Sequence, residues 1–242
     1  MPFLAARWRA ASLAAAILAC GCGKVASPAQ DATVENDAAV DDAPSDAPAP
    51  SSISLTAGMT MPILGTSGDP FTDHCAAGQA LVGFNGATTM IGSLHLVGLL
   101  VGHCSALELG APGTDGYAVT AETGVLLPAR GAASTPWPAS AALCAPNQFV
   151  VGLAVRAGSE LDALAVQCAP VTLVAQPTGW VGQIGAVTTR PQQGGNGGNP
   201  LTARCPDGQV ATVSNPKVVA ASGSNPAVLG AIGIGCSVVA GR

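Results

Sequence analysis

Short runs of aliphatic and β-branched residues, separated by turn residues, set the pattern of the chain beyond residue 55. QFVVGLAV at 148–155 and ALAVQC at 163–168 are two such runs, and the segment from Ala157 to Ser159 lies between them. Runs of this length and composition are typical of β-strands. No stretch beyond residue 55 keeps the apolar period of about 3.6 residues that a helix requires. The pattern therefore predicts an all-β chain of about a dozen short strands.

One pattern recurs three times within this part of the chain. Each copy begins with a cysteine and has a glutamine four positions later, in CAAGQALVGF at 75–84, CAPNQFVVGL at 144–153 and CPDGQVATVS at 205–214. Each copy ends with an apolar run that leads to a second cysteine. The first cysteines lie 69 and 61 residues apart, so the repeating unit has the length of a few strands. Three such units predict a pseudo-threefold β-prism, with a β-trefoil as the alternative.

The first residues have the pattern of an export signal. Arg7 and Arg9 precede an apolar run from Ala10 to Ala19, which is too short to span a bilayer. The residues from Ile17 to Cys20 resemble the lipobox of bacterial lipoproteins. We therefore expect a signal peptide at 1–19, lipidation of Cys20 and attachment to a membrane of the bacterial cell envelope. Cys22 is a second candidate for the lipid, and an ordinary cleaved signal is the alternative.

Residues 20–54 are rich in alanine, proline and aspartate, with six acidic residues and one basic residue. Such a composition cannot bury enough apolar surface to fold, so we expect a disordered tether. An acidic interaction tail is the alternative. Residues 55–242 remain as the predicted all-β domain.

Six cysteines lie in this domain, and an even number in an exported protein indicates disulfides. The repeat selects one pairing from the possible ones: Cys75–Cys104, Cys144–Cys168 and Cys205–Cys236. A metal site is the alternative. However, none of these cysteines has the spacing of a zinc knuckle, so we expect no metal and no cofactor.

Two glycine-containing segments resemble the jacalin-related lectins, which are β-prisms of three four-stranded sheets. The segments are GGNGGNP at 194–200 and the turn from Gly158 to Asp162. The cysteine-bearing repeat is similar to the vitelline-membrane outer-layer proteins, which are disulfide-linked relatives of the same architecture. The resemblance implies a disulfide-stabilised β-prism and a sugar site on the turn.

The implied sugar site consists of Gly158, Ser159, Glu160, Leu161 and Asp162, with Gly194 and Gly195 providing close backbone approach. In it, backbone amides would donate to sugar oxygens and the carboxylate of Asp162 would accept from two hydroxyls. The other copies have Gly98 and Leu229 near the place of Asp162, so only one turn has the acid. The alternative is a plain hairpin, in which Gly158 supplies a positive φ and Asp162 stabilises the turn.

Charge and side-chain chemistry exclude several other classes. The domain has eight acidic and six basic residues without a basic cluster, which argues against nucleic acid as a partner. There is no G-x-S-x-G elbow, and the three histidines do not indicate catalysis. Aromatic residues that could stack on a ligand are limited to Tyr117, Trp137 and Trp180. We therefore expect a non-enzymatic, lipid-anchored envelope protein that binds carbohydrate. The alternative is a structural or protein-interaction component of the envelope without a small-molecule ligand.

Overall fold

The computed structural model describes residues 48–122 and 124–242, and these residues contain strands, turns and loops but no helix. The all-β prediction is confirmed for this part of the chain. The predicted signal peptide at 1–19, the lipidation site and most of the expected tether lie outside it. The first strand begins at Ile53, and the N–H of Ser51 donates to the carbonyl of Arg242 at 2.6 Å. Backbone pairing thus begins slightly before the expected boundary at residue 55.

The described residues form nineteen strands, which are numbered in chain order. They are β1 Ile53–Thr60, β2 Leu64–Gly65, β3 Asp69–Pro70, β4 Asp73–His74, β5 Gln79–Ile91, β6 Leu94–Gly113, β7 Gly116–Ala121, β8 Val125–Leu126, β9 Arg130–Gly131, β10 Thr135–Pro136, β11 Ala142–Leu143, β12 Gln148–Ala157, β13 Leu161–Gln176, β14 Gly179–Ile184, β15 Thr188–Thr189, β16 Gln193–Gly194, β17 Asn199–Arg204, β18 Gln209–Val219 and β19 Val228–Gly241.

Three long antiparallel hairpins, β5–β6, β12–β13 and β18–β19, make up most of the fold. The prediction of short strands is wrong for them, since β6 alone has 20 residues. The sequence conceals this length because glycines such as Gly83 and Gly98, which resemble strand ends, lie at or beside β-bulges. At a bulge one strand has an extra residue and pairing continues beyond it.

The bulged residue in the first strand of each hairpin accepts a hydrogen bond from the cysteine that precedes another hairpin. The bulged residues are Val82, Val151 and Thr212. Their carbonyls accept hydrogen bonds, at 2.8, 2.8 and 2.9 Å, from the backbone N–H groups of Cys144, Cys205 and Cys75. The bonds run in one direction from hairpin to hairpin and close a cycle.

Each hairpin also has one disulfide, which joins the turn before its first strand to its second strand. The bonds are Cys75–Cys104, Cys144–Cys168 and Cys205–Cys236, with Cα–Cα distances of 5.6, 5.6 and 5.8 Å. These are the pairs that the repeated sequence predicts. In the chain-entropy account, closing loops of this size stabilises the fold by about 3 kcal/mol for each bond.

The segments that link the hairpins add short strands to them. The segment 64–74 pairs with β18 and β19, 125–143 pairs with β5 and β6, and 188–204 pairs with β12 and β13. Each segment contains a glycine with positive φ that lies against the second strand of its hairpin: Gly65 at 107°, Gly131 at 89° and Gly194 at 109°. A side chain at these positions would meet backbone atoms of that strand.

The strands β6, β13 and β19 continue beyond the hairpins into a second sheet, in the order β1-β19-β14-β13-β7-β6. One hydrophobic core lies among the hairpins and contains Phe84, Leu153 and Ile232. Another lies against the second sheet and contains Leu173 and Val239. The second sheet therefore holds the hairpins at one end, and their turns lie at the other.

Candidate ligand-binding site

The turns of the three hairpins meet and enclose a cavity of about 170 Å³. Its lining includes Ile91 and Leu94 from the β5–β6 turn, Glu160 from the β12–β13 turn, and Val219 and Pro226 from the β18–β19 turn. Leu94 is half exposed to solvent. The cavity thus combines apolar walls with a carboxylate, a mixture that suits a small ligand with both apolar and polar parts.

Asp162, two residues after Glu160, lies at a second β-bulge, in the second strand of its hairpin. The pairing shifts there, so that Asp162 is the extra residue between Leu161 and Ala163. The corresponding extra residues of the other hairpins are Gly98 and Gly230. The sequence comparison gave Leu229 as the counterpart of Asp162 in the third hairpin, and the structure gives Gly230, one position later. The sequence does not show which residue forms the bulge, because that depends on strand pairing. Asp162 brings a side chain to a place where the other two hairpins have none.

The glycine-rich loop from Gly194 to Gly198 folds over Asp162. The N–H of Gly195 donates to the carbonyl of Asp162 at 2.8 Å. A Cβ on Gly197 or Gly198 would overlap the carboxylate oxygens of Asp162. The stretch from Gly194 to Asn199 is one residue longer than the corresponding stretches, 65–69 and 131–135. The structure thus brings together the two segments that the sequence singled out, and the longer loop makes room for the acid.

Arg156 fastens the same loop from the neighbouring strand β12. Its Nε donates to the carbonyls of Asn196 at 3.0 Å and Gly197 at 2.7 Å, and its Nη2 donates to the carbonyl of Gly198 at 2.8 Å. These bonds orient the loop carbonyls toward the guanidinium. The side chain of Asn196 remains in an exposed part of the loop.

Burial is the main influence on the carboxylate of Asp162, which is only 7% exposed. Burial raises the pKa of Asp162 above its ordinary value, and the negative charge of Glu160 raises it further. The positive charge of Arg156 acts in the opposite direction. The carboxyl group of Asp162 therefore takes up a proton more readily than an exposed aspartate does.

The other residues of the turn differ in how far solvent reaches them. Gly158 and Ser159 are exposed, Glu160 is half-buried, and Leu161 is fully buried. The hydroxyl of Ser159 donates to the carboxylate of Glu160. Gly158 does not have the positive φ that the plain-hairpin interpretation gives it. A ligand would thus meet Ser159, Glu160 and the loop first, with Asp162 beneath them.

Sequence reasoning missed Arg156, Asn196 and the apolar part of the cavity. The extra residue in the loop could have indicated Asn196, because it appears when the three linking segments are aligned on their prolines. Nothing in the sequence indicates that Ile91 and Leu94 lie beside Glu160, since three separate hairpins bring them together.

No protein-family model matches the chain, and no curated protein matches it. Within residues 48–122 and 124–242, no group of three or more histidine, cysteine, aspartate or glutamate side chains is placed to hold a metal ion. The same residues include no helix that is long and apolar enough to cross a membrane.

Proposed function

We propose that the protein is an exported, lipid-anchored binding module of a bacterial cell envelope, and that carbohydrate is its ligand class. The role is one of binding, without catalysis and without nucleic acid as a partner. The lipid would be attached at Cys20, and the acidic segment would connect it to the folded domain. The three disulfides in the structure fit an oxidising compartment outside the cytoplasm.

The architecture proposed for this module is a three-repeat β-prism. The cycle of hydrogen bonds from the first cysteine of each hairpin to the bulge of another supports it, because three related contacts in one direction are expected around a threefold axis. Each linking segment also pairs with the hairpin that precedes it in the cycle, as a threefold arrangement of three repeats would require.

The observation that carries the carbohydrate proposal is the pairing of Asp162 with a lengthened glycine loop. Of the three related bulges, only this one has a side chain, and only its loop has an extra residue. Burying a carboxylate lowers the stability of a fold unless the group is paired and hydrogen-bonded, and a role in binding would explain why this one is kept. Ser159 and Asn196 offer hydrogen-bonding groups in exposed parts of the turn and the loop, and Glu160 offers a carboxylate in the wall of a largely apolar cavity.

A structural or protein-interaction role in the envelope is the second candidate. One observation favours it: the carboxylate of Asp162 is covered by Gly197 and Gly198, so a sugar could reach it only if the loop moved. In that case Asp162 would serve to position the loop, and no small molecule would bind.

The test is a glycan array with the full-length chain, exported under oxidising conditions and kept in detergent. Asp162→Ala is compared with Asp115→Ala, which removes the same charge from the exposed turn between β6 and β7. The proposal requires that wild type and Asp115→Ala bind the same glycans and that Asp162→Ala does not. Circular dichroism and non-reducing peptide mapping check that each variant is folded and correctly bonded. Silence of the wild type across the array would support the structural role.

A further inference from the structure

A second hollow, of about 400 Å³, lies at the side of the β5–β6 hairpin, around Trp137. Its lining includes Phe84, Asn85, Pro136, Pro138 and Ser140. It shares no residue with the loop from Gly194 to Gly198 or with the cavity among the hairpin turns. It therefore counts as a separate site.

The indole of Trp137 forms a fixed wall of this hollow. Its six-membered ring lies against Gly86, where an added Cβ would come within 2.5 Å of Cζ3. Its Nε1 donates to Oγ1 of Thr88 at 3.0 Å, and its backbone N–H donates to the carbonyl of Gly86 at 2.9 Å. A glycine beneath the ring and a partner for its N–H hold the indole in one orientation, as a stacking surface requires.

A three-residue insertion forms another wall. From Pro136 to Cys144 the chain has three residues more than from Pro70 to Cys75 or from Pro200 to Cys205. The insertion brings Ser140 into a left-handed conformation, with φ 60°. The carbonyl of Ser140 accepts from the N–H of Leu143 and from Nη2 of Arg190, at 3.1 and 3.2 Å. The bonds hold a backbone conformation that is rare for serine.

The corresponding aromatic residue of the first linking segment is covered. The guanidinium of Arg130 lies 4.2 Å from the centre of the Phe71 ring. In the last segment the corresponding residue is Leu201. Only the middle segment thus combines an aromatic ring with a hollow beside it.

The lining determines what the hollow can hold. It has no charged side chain, polar groups at Asn85 and Ser140, and two aromatic residues, of which Phe84 is fully buried and Trp137 is not. The exposed amide of Asn85 can both donate and accept. The hydroxyl of Ser140 donates to the carbonyl of Ala139 at 2.6 Å, which leaves its oxygen as an acceptor. An uncharged ligand with one apolar face and hydroxyl groups at its edge matches this set, and a neutral sugar ring has that chemistry.

We propose that the hollow at Trp137 binds a neutral pyranose unit of a polysaccharide, with the sugar ring stacked on the indole and its hydroxyls bonded to Asn85. The proposal rests on the carbohydrate class given above but not on the site at Asp162. The two sites can therefore fail separately.

The experiment is a titration of the full-length protein with three neutral oligosaccharides: cellohexaose, xylohexaose and chitohexaose. Affinity is measured by isothermal titration calorimetry, and binding at the indole by the shift of tryptophan fluorescence. We expect at least one of them to bind. Trp137→Ala should weaken that binding by about tenfold or more, since a stacked aromatic anchor contributes at least that much. Trp180→Phe, which changes a tryptophan on β14, should leave the affinity unchanged.

Two further variants keep the test decisive. Gly86→Ala should weaken binding by displacing the ring, and Asn85→Ala, which alters only an exposed side chain, should weaken it without disturbing the fold. Failure of the wild type to bind any of the three sugars overturns the proposal, as does unchanged affinity in Trp137→Ala and Asn85→Ala. If binding is lost in Asp162→Ala but not in Trp137→Ala or Asn85→Ala, the sugar binds at Asp162 and the proposal for the hollow at Trp137 is wrong.

Discussion

Arg130 donates two hydrogen bonds to the carboxylate of Asp73, from Nη2 to Oδ1 at 2.6 Å and from Nε to Oδ2 at 3.0 Å. The two residues belong to different linking segments, in β9 and β4. The side chain of Asp73 is 5% exposed and that of Arg130 is 24% exposed. The hydrogen bond to Asp73 raises the pKa of Arg130. The pair thus joins two parts of the chain that no strand pairing connects directly.

Replacing Arg130 should destabilise the fold more than replacing other arginines does. We expect Arg130→Met to lower the free energy of unfolding by about 3 kcal/mol, because Asp73 would remain buried without its partner. Arg130→Lys should have an intermediate free energy of unfolding, since lysine keeps the positive charge but cannot form the bidentate pair of hydrogen bonds. Urea denaturation measures the change, with the exposed Arg204→Met as the control. Equal midpoints for Arg130→Met and the control would contradict the expectation.

The raised pKa of Asp162 makes the stability of the fold depend on pH. Its ordinary value is 3.8, and the folded protein resists its ionisation. The resulting stability is fully present below about pH 3.8 and is lost as pH rises through the higher folded pKa. We expect Asp162→Asn to remove this loss and to flatten the thermal midpoint between pH 3.5 and 7. Asp115→Asn serves as the exposed control. If the thermal midpoint of Asp162→Asn changes with pH as steeply as that of the wild type, Asp162 is not the cause of the pH dependence.

His103 acts in a different pH range. It precedes Cys104, and its buried Nε2 has no hydrogen-bond partner among the described residues. Burial lowers the pKa of His103 from its ordinary 6.5. The unfolded chain therefore takes up a proton first, and stability falls as pH decreases below about 6.5. Glutamine is the natural replacement, because Gln167 precedes Cys168 in the second hairpin. We expect His103→Gln to reduce this loss of stability in thermal melts from pH 7.5 to 5. His95→Gln, on the exposed start of β6, should not.

Two glycines of the candidate site should respond differently to alanine. Gly198 has φ +61°, and an added Cβ would press on Ala157 and the carboxylate of Asp162. Gly158 has open space and an ordinary φ. We expect Gly198→Ala to cost about 1–2 kcal/mol of stability and to abolish glycan binding at Asp162, while Gly158→Ala is neutral or slightly stabilising. Similar effects of the two changes on unfolding by urea would show that the loop adapts freely.

The lipid attachment can be tested without reference to the fold. In cells labelled with a radioactive fatty acid, we expect the wild type to carry label and to sediment with membranes. Cys20→Ser should lose the label and appear in the soluble fraction, whereas Cys22→Ser should behave as wild type. Label that disappears only in Cys22→Ser would move the attachment by two residues.

The sequence allows the β-class and the disulfides to be predicted, because cysteine spacing and aliphatic runs are local features. The second sheet could not be predicted in this way. It depends on β13 continuing through Pro170 and on β6 continuing past its hairpin partner as far as Pro112, although proline is uncommon inside a paired strand. The burial of Asp162 beneath the glycine-rich loop could not be predicted either, since it depends on a bulge and on a loop more than 30 residues away.

The ends of the folded domain meet at the second sheet, where the N–H of Arg242 donates to the carbonyl of Ser52 at 2.9 Å. Strand β19 runs its 14 residues from the hairpin turn at Val228 to this place, a span of about 40 Å. Joining the two ends by a short peptide and opening the chain in an exposed loop should therefore give a circular permutant. A sensor chip or a fluorescent fusion partner attached at either end would likewise stand well away from the cavity among the turns.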